Sequence, residues 1–246
     1  MIIGSNIIYR EKVSSTNELA AEMLDKSIVP EGTVIYAADQ YMGKGQRGNT
    51  WLSEAGKNLT ASIILYPDTL EADQQFLISE LISLSIAELL DTYCDSISIK
   101  WPNDIYYKDD KIAGILIENS LEGKRIQNSV AGVGININQN NFPPEIHNPV
   151  SLNIINKREY NIREILDEFC KVCDRWYTRL KKDELDYINN KYQERLYRLG
   201  IPSVFITPEG RLRGIIKGID RFGRIKIEKT NGDTVVYGFR EIELIV

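Results

Sequence analysis

Two β-rich stretches, Lys111 to Ser120 and Arg125 to Asn138, are separated only by Leu121-Glu122-Gly123-Lys124. Strands joined by so short a link pair antiparallel, because a parallel crossover needs about a dozen residues or more. That argues against a doubly wound parallel sheet and predicts an α+β fold around a mixed sheet. Further strands are expected at Ile7 to Lys12, Thr33 to Ala38, Leu59 to Tyr66, Ser96 to Lys100 and Ile105 to Tyr107. Helical patterns cover Asn17 to Lys26, entered from Ser15 with Glu18 placed as in a capping box, and Glu71 to Tyr93, where Leu77, Leu81, Leu84 and Leu89 lie on related faces.

Beyond Asn138 the texture changes. Asn140 to Pro149 reads as a loop, and helices follow at Ile162 to Leu180 and Lys182 to Leu199. Short strands at Ser203 to Thr207, Arg211 to Ile219, Arg224 to Lys229 and Thr234 to Tyr237, with turn residues between them, suggest a small barrel. A chain of 246 residues has room for one large and one small domain, and the division is placed near Gly200, as 1–199 and 200–246.

Charge and reactive residues narrow the chemistry. A net charge of −5 argues against a general nucleic-acid binder, so any anion site must be local. Cys170-Lys171-Val172-Cys173 falls inside a helical pattern and reads as core, and His147 is the lone histidine, which disfavours histidine-based catalytic units and zinc sites. The chemistry then rests on Lys, Arg and Asp. Phe76 to Cys94 is interrupted by Glu80, Glu88 and Asp91, and reads as a core helix, not a membrane span. Nothing at the start resembles a secretion signal, so a cytoplasmic location is expected.

Gly43-Lys44-Gly45-Gln46-Arg47-Gly48 has the three spaced glycines of a dinucleotide fingerprint but leads into a strand where that motif requires a helix. Its glycines and cations suit an anion clamp; a flexible hairpin loop with incidental charge is the alternative. Lys100-Trp101-Pro102-Asn103-Asp104 closes one strand and Lys111-Ile112-Ala113-Gly114-Ile115-Leu116 opens another. The lysines at these strand ends either converge on one anionic ligand or are simply solvated. Ser15-Thr16-Asn17-Glu18 suits a helix cap, and a helix N-terminus also suits a polar ligand.

Taken in order, Ser15-Thr16-Asn17, Gln40, the glycine loop with Asn49 and Trp51, Lys100-Trp101-Pro102-Asn103-Asp104, Lys111 to Leu116 and Gly132-Val133-Gly134-Ile135-Asn136 resemble the biotin protein ligases. The likeness covers almost the whole chain, and Gly218-Ile219-Asp220 to Glu241-Ile242 looks like that family's SH3-like barrel. It implies a mixed sheet of the class II aminoacyl-tRNA synthetase and biotin-ligase type. It also implies a reaction: biotin and MgATP give biotinyl-5′-AMP, whose acyl group passes to a lysine of a biotin carboxyl carrier protein. By the same resemblance, Arg47, Lys111, Lys100 and Asp104 would carry the chemistry. Ser15, Thr16, Asn17, Gln40, Lys44, Gly45 and Gln46 would hold biotin, with Lys111 and Gly114 at its carboxylate, and Arg47, Asn49, Trp51, Lys100, Asn103 and Asn136 would hold ATP. No protein metal ligands are expected.

The glycine loop would close as a lid over the reactive anhydride, and Asp104 would orient the carrier amine and accept its proton. The family often has arginine where this chain has Lys44, Gln46 and Asn49, so looser retention of the adenylate is expected. Few residues precede Ser15, so a ligase without the DNA-binding repressor domain is expected, with no DNA and no membrane partner. Pairing into a homodimer would use a sheet edge, with Val130 to Asn138 as the exposed strand. The rivals are a lipoate or octanoate ligase of the same fold and a non-catalytic binding module.

Overall fold

The computed structural model describes residues 1–245, and of Arg47 the backbone alone. A seven-stranded sheet is built from β1 (Ile7–Val13), β2 (Val34–Gln40), β3 (Leu59–Leu65), β4 (Ile97–Lys100), β5 (Asp104–Tyr107), β6 (Asp110–Glu122) and β7 (Arg125–Ile135), in the order β1-β2-β3-β7-β6-β5-β4. Only β1 and β2 run parallel; the remaining neighbours are antiparallel. The β6–β7 hairpin forms as expected, with Glu122 opposite Arg125 and Gly123 turning at φ +62°.

One expectation fails here. Val130 to Asn138 is no edge strand: β7 lies between β3 and β6 and is hydrogen-bonded to both. A strand buried on both faces has the same apolar sequence wherever it sits in the order, so its neighbours were not readable. The edges are β1 and β4. The β4 edge is covered by backbone bonds from Ile99 N to Arg195 O and from Tyr197 N to Ile99 O, each 2.8 Å.

Helices cover the two faces. Val34, Ile63, Ala131 and Val133 face the large core, with α2 (Phe76–Leu90) and α4 (Ile162–Lys181) packed over it. Ile35, Ile64 and Val130 point the other way, against Ala20, Leu19 and Met23 of α1 (Thr16–Lys26). The short α3 (Leu152–Asn156), capped by Ser151, has no counterpart in the periodicity. α5 (Leu185–Glu194) is shorter than expected: Asp183, at φ +62°, breaks its start, and Tyr197 turns away to pair with β4. α2 begins at Phe76 after a separate turn at Ala72–Gln74. Among the described residues no helix is long and apolar enough to cross a membrane. Cys170 and Cys173 are buried in the core, and burial pushes the Cys170 thiol up to about 12, as suits packing residues.

Past α5, β8 (Pro202–Thr207), β9 (Gly210–Ile219), β10 (Ile225–Lys229), β11 (Thr234–Tyr237) and β12 (Glu243–Leu244) form an antiparallel sheet ordered β11-β10-β9-β8-β12. Its pairing does not close: β11 and β12 remain its two edges. Trp101 ties it to the larger sheet, donating from Nε1 to Gly223 O at 2.8 Å and packing 5.4 Å from the Phe239 ring.

A second tie is polar and buried. Glu80 of α2, only 2% exposed, accepts from Asn189 Nδ2 at 3.0 Å; Gln193 Nε2 donates to Asn189 Oδ1, and Gln193 Oε1 accepts from Ile219 N in β9. Burial raises the Glu80 carboxyl to about 8. An unfolded glutamate ionises near 4.3, so between these values the unfolded chain is ionised while the folded one keeps its proton. Stability should therefore fall as pH rises from about 4.5 to 8, and level off above. Glu80→Gln keeps an acceptor for Asn189 and removes this slope, gaining up to about 4 kcal/mol on the wild type between pH 5 and pH 8. Thermal unfolding midpoints across that range test it, and parallel profiles would show that Glu80 does not titrate there.

Candidate active site

Directly opposed residues in an antiparallel pair point to the same side, so register alone lays out one face of the large sheet. Asp104 stands opposite Gly114, Gly114 opposite Gly134, and Gly134 opposite Thr60. The next row holds Leu116, Gly132 and Ser62, and the third holds Glu118, Val130 and Ile64. α1 covers the third row. Over the first two rows the glycines leave a strip without side chains. A Cβ at Gly132 would come within 2.3 Å of Asn17 Oδ1, one at Gly134 within 2.3 Å of Trp51 Cε2, and one at Gly114 within 3.0 Å of Trp51 Cζ3. Asn17 and Trp51 thus lie directly against the floor of a cavity of about 420 Å³.

One end of this cavity is polar and uncharged. Gln40 Oε1 accepts from Thr16 N at 2.7 Å and from Thr16 Oγ1 at 2.9 Å, so Gln40 takes over the capping of α1. The expected capping box does not form: Ser15 makes no side-chain cap bond, and Glu18 pairs with Ser14 Oγ and Lys44. Ser62 Oγ reaches Thr16 Oγ1 at 2.7 Å and Asn17 Oδ1 at 2.6 Å. Asn17 Nδ2 donates to Glu118 Oε2 at 2.7 Å. Ser15, Thr16 and Asn17 are all buried.

The other end is charged. Lys111 Nζ lies 2.7 Å from Asp104 Oδ1 and 5.7 Å from the centre of the Trp51 ring. Lys100 Nζ donates to Tyr106 Oη at 3.0 Å, and burial lowers its pKa; neighbouring Lys111 pushes the same way, Asp104 and Glu243 the opposite. Asn103 is locked onto β6, its Nδ2 donating to Ile115 O and its own carbonyl accepting from Ile115 N, both at 2.9 Å. Lys100 and Lys111 share this end with two carboxylates, Asp104 and, from β12, Glu243.

The glycine loop is a closed hairpin over the cavity. Gly45 N donates to Asn49 O at 2.7 Å and Trp51 N to Gly43 O at 2.9 Å, while Gln46–Gly48 forms a tight turn. Lys44 lines the cavity, but its ammonium is held 2.7 Å from Glu18 Oε1, which raises the lysine's pKa and lowers that of the glutamate. Gly45, Gln46 and Asn49 line it too. The side chain of Arg47 lies outside the described residues.

Of the other expected residues, Asn136 alone is away from the cavity wall: it is buried, its Nδ2 bonded to Val150 O at 3.0 Å, and it braces the loop before α3 against β6. Strand alternation would put Asn136 on the same face as Gly134, but β7 ends at Ile135 and the chain leaves the sheet there. Four contributors escaped sequence reasoning. Ser62 carried a signal, a hydroxyl within the otherwise apolar end of β3. Glu118 carried none. Nor did Tyr197 and Glu243, which reach the cavity from beyond α5 and from β12. Among the described residues no group of three His, Cys, Asp or Glu side chains could hold a metal ion.

The model of the biotin/lipoate A/B protein ligase family matches residues 9–136. The chain is 28% identical to the bifunctional ligase/repressor BirA of Bacillus subtilis over 249 residues, covering 99% of this chain and 75% of that protein. It is 30% identical over 211 residues to the biotin–[acetyl-CoA-carboxylase] ligase of Paracoccus denitrificans, with 82% and 86% covered. In three dimensions it is similar to the biotin protein ligase from Aquifex aeolicus in complex with biotin and ATP, with a TM-score of 0.82 at 27% identity, over 98% of this chain and 99% of that one.

Proposed function

The chain belongs to the biotin/lipoate A/B protein ligase family, and from that premise we propose that it joins biotin to ATP as biotinyl-5′-AMP and transfers the biotinyl group to a lysine of a biotin carboxyl carrier protein. One observation carries the choice of substrate: the cavity has an uncharged donor-and-acceptor end and an end that presents Lys100 and Lys111, with a glycine strip between them. Asn17 Oδ1 accepts, and Gln40, whose Oε1 is taken by Thr16, offers its Nε2 as a donor. A cyclic urea presents two N–H donors beside a carbonyl acceptor and matches that end; the sulfur ring of lipoate does not. The carboxylate of the same molecule falls toward Lys111.

In the first step a carboxylate oxygen attacks the α-phosphorus, the bond to the β-phosphate oxygen breaks, and pyrophosphate leaves. Two anions must meet, and Lys111 and Lys100, with Arg47 by family likeness, offset their repulsion and the charge that builds between them. Trp51 and Asn103 would flank the nucleotide. Mg²⁺ fits this site as a counter-ion carried by the phosphates, since the ion keeps several waters and takes few protein ligands. Closure of the glycine loop keeps water from the anhydride; with Gln46 and Asn49 in place of cations, that retention rests on the shape of the loop. In the second step the carrier amine attacks the acyl carbon, AMP leaves with the bonding pair, and the amine loses a proton. A bound carboxylate draws Lys111 away from Asp104, which frees Asp104 to take that proton. The catalytic part is placed at 1–199 and the C-terminal unit at 200–246.

Incubation with biotin, ATP and Mg²⁺ should yield biotinyl-AMP and pyrophosphate; exchange stimulated by lipoate or octanoate instead would move the protein to another branch of the family. Asp104→Asn separates the steps. Transfer from preformed adenylate to a carrier should fall about 100-fold, while adenylate formation falls less than about tenfold. Wild-type transfer in the variant would remove Asp104 from the mechanism.

A further inference from the structure

The amide of Asn17 can present either its carbonyl or its NH₂ group to the cavity, and a half-turn exchanges them. Ser62 cannot choose between the two, because a hydroxyl both donates and accepts. Glu118 can, because an ionised carboxylate only accepts. Its Oε2 stands 2.7 Å from Asn17 Nδ2, and the Leu116 carbonyl, 3.4 Å away, favours the same orientation weakly. Oδ1 is thereby turned to Ser62, 2.6 Å away, and onto the floor at Gly132. Asn17 is 3% exposed. Glu118 itself is exposed, lies one row beyond the glycine strip opposite Val130, and does not line the cavity.

We infer that Glu118 is a positioning residue that locks Asn17 with its carbonyl toward the cavity, and so sets the preference for acids whose head group carries N–H donors. The inference rests on the proposed biotin reading and extends it to a side chain that touches no substrate. A charge-assisted bond holds the amide in one orientation; without it Asn17 samples both, and in one of them two donors, the urea N–H and Nδ2–H, face each other.

Glu118 also acts electrostatically on Lys44, so the test separates orientation from charge. Glu118→Leu removes the acceptor and the charge; Glu118→Gln removes the charge and keeps an acceptor, but adds a donor, so it holds the orientation only in part. Biotin-dependent pyrophosphate exchange should show the KM for biotin about tenfold higher in the leucine variant, with kcat and the KM for ATP within about twofold of wild type. The glutamine variant should lie between the leucine variant and wild type in its biotin KM. A leucine variant with an unchanged biotin KM overturns the inference, as does a glutamine variant equally impaired, or a joint rise in both KM values. A wild type that binds no biotin overturns the parent reading and this one together, and is told apart by its lack of any biotin-stimulated exchange.

Discussion

Gly134→Ala is expected to lower biotin-dependent pyrophosphate exchange by about 100-fold while the protein stays folded. The added methyl would stand 2.3 Å from Trp51 Cε2, 2.5 Å from Cζ2 and 2.7 Å from Nε1, and no rotation of an alanine relieves that. The indole must lift away, and it carries with it the loop whose Trp51 N is bonded to Gly43 O and whose ring lies beside Lys111. A displacement of about 1 Å in groups that align two reactants is enough for such a loss. The penalty in stability should be only about 1–3 kcal/mol, because β7 keeps its backbone pairing on both sides. Thermal unfolding and tryptophan fluorescence would show a folded protein with a moved indole. Adding Trp51→Leu should recover part of the lost activity by making room. Exchange within tenfold of wild type in the single variant would show that the contact between Trp51 and the sheet is not needed.

Lys111→Ala is expected to slow biotinyl-AMP formation by about 1,000-fold. In the proposed reaction Lys111 would neutralise the acid's carboxylate while that group attacks a phosphate, so its charge would matter more in the transition state than in either bound substrate. Its loss also leaves Asp104 beside Lys100 alone, adding a negative charge where two anions must meet. Lys111→Arg should recover little, since the guanidinium is a broad planar fork and the site, closed by Trp51 and Gly114, was shaped around a compact ammonium. Single-turnover formation of biotinyl-AMP at saturating biotin and ATP is the measurement. A loss of less than tenfold would assign the charge stabilisation to other cations and leave Lys111 a structural partner of Asp104.

Much of the molecule was legible because its signals are local. The hairpin turn at Gly123, the β-rich run of β2 and the apolar residues of α2 each reflect residues close in sequence. The motif residues also came together: Ser15, Gln40, Lys100, Asp104 and Lys111 come from five separate segments and share one cavity wall. What failed depended on neighbours distant in the chain. Ser15 and Glu18 were read as mutual caps, but Gln40, 24 residues beyond Thr16, supplies the cap. β7 was read as an edge because nothing within it records that β3 arrives on its other side. Asn136 was grouped with its motif, while its amide is spent on Val150.

The sequence by itself determined which side chains are available for chemistry: with one histidine and a Cys-x-x-Cys inside a helical pattern, it rests on Lys, Arg and Asp. It also determined the α+β character, since a short turn between long strands admits one pairing. Only the tertiary structure decided that Gly114, Gly132 and Gly134 form one bare strip, that Asn17 and Trp51 rest on it, and that Glu118 turns Asn17 toward it. The physical reason is register. Which residues stand opposite one another across a sheet follows from the packing of the whole core, and a cavity floor is a property of opposed residues that no single segment contains.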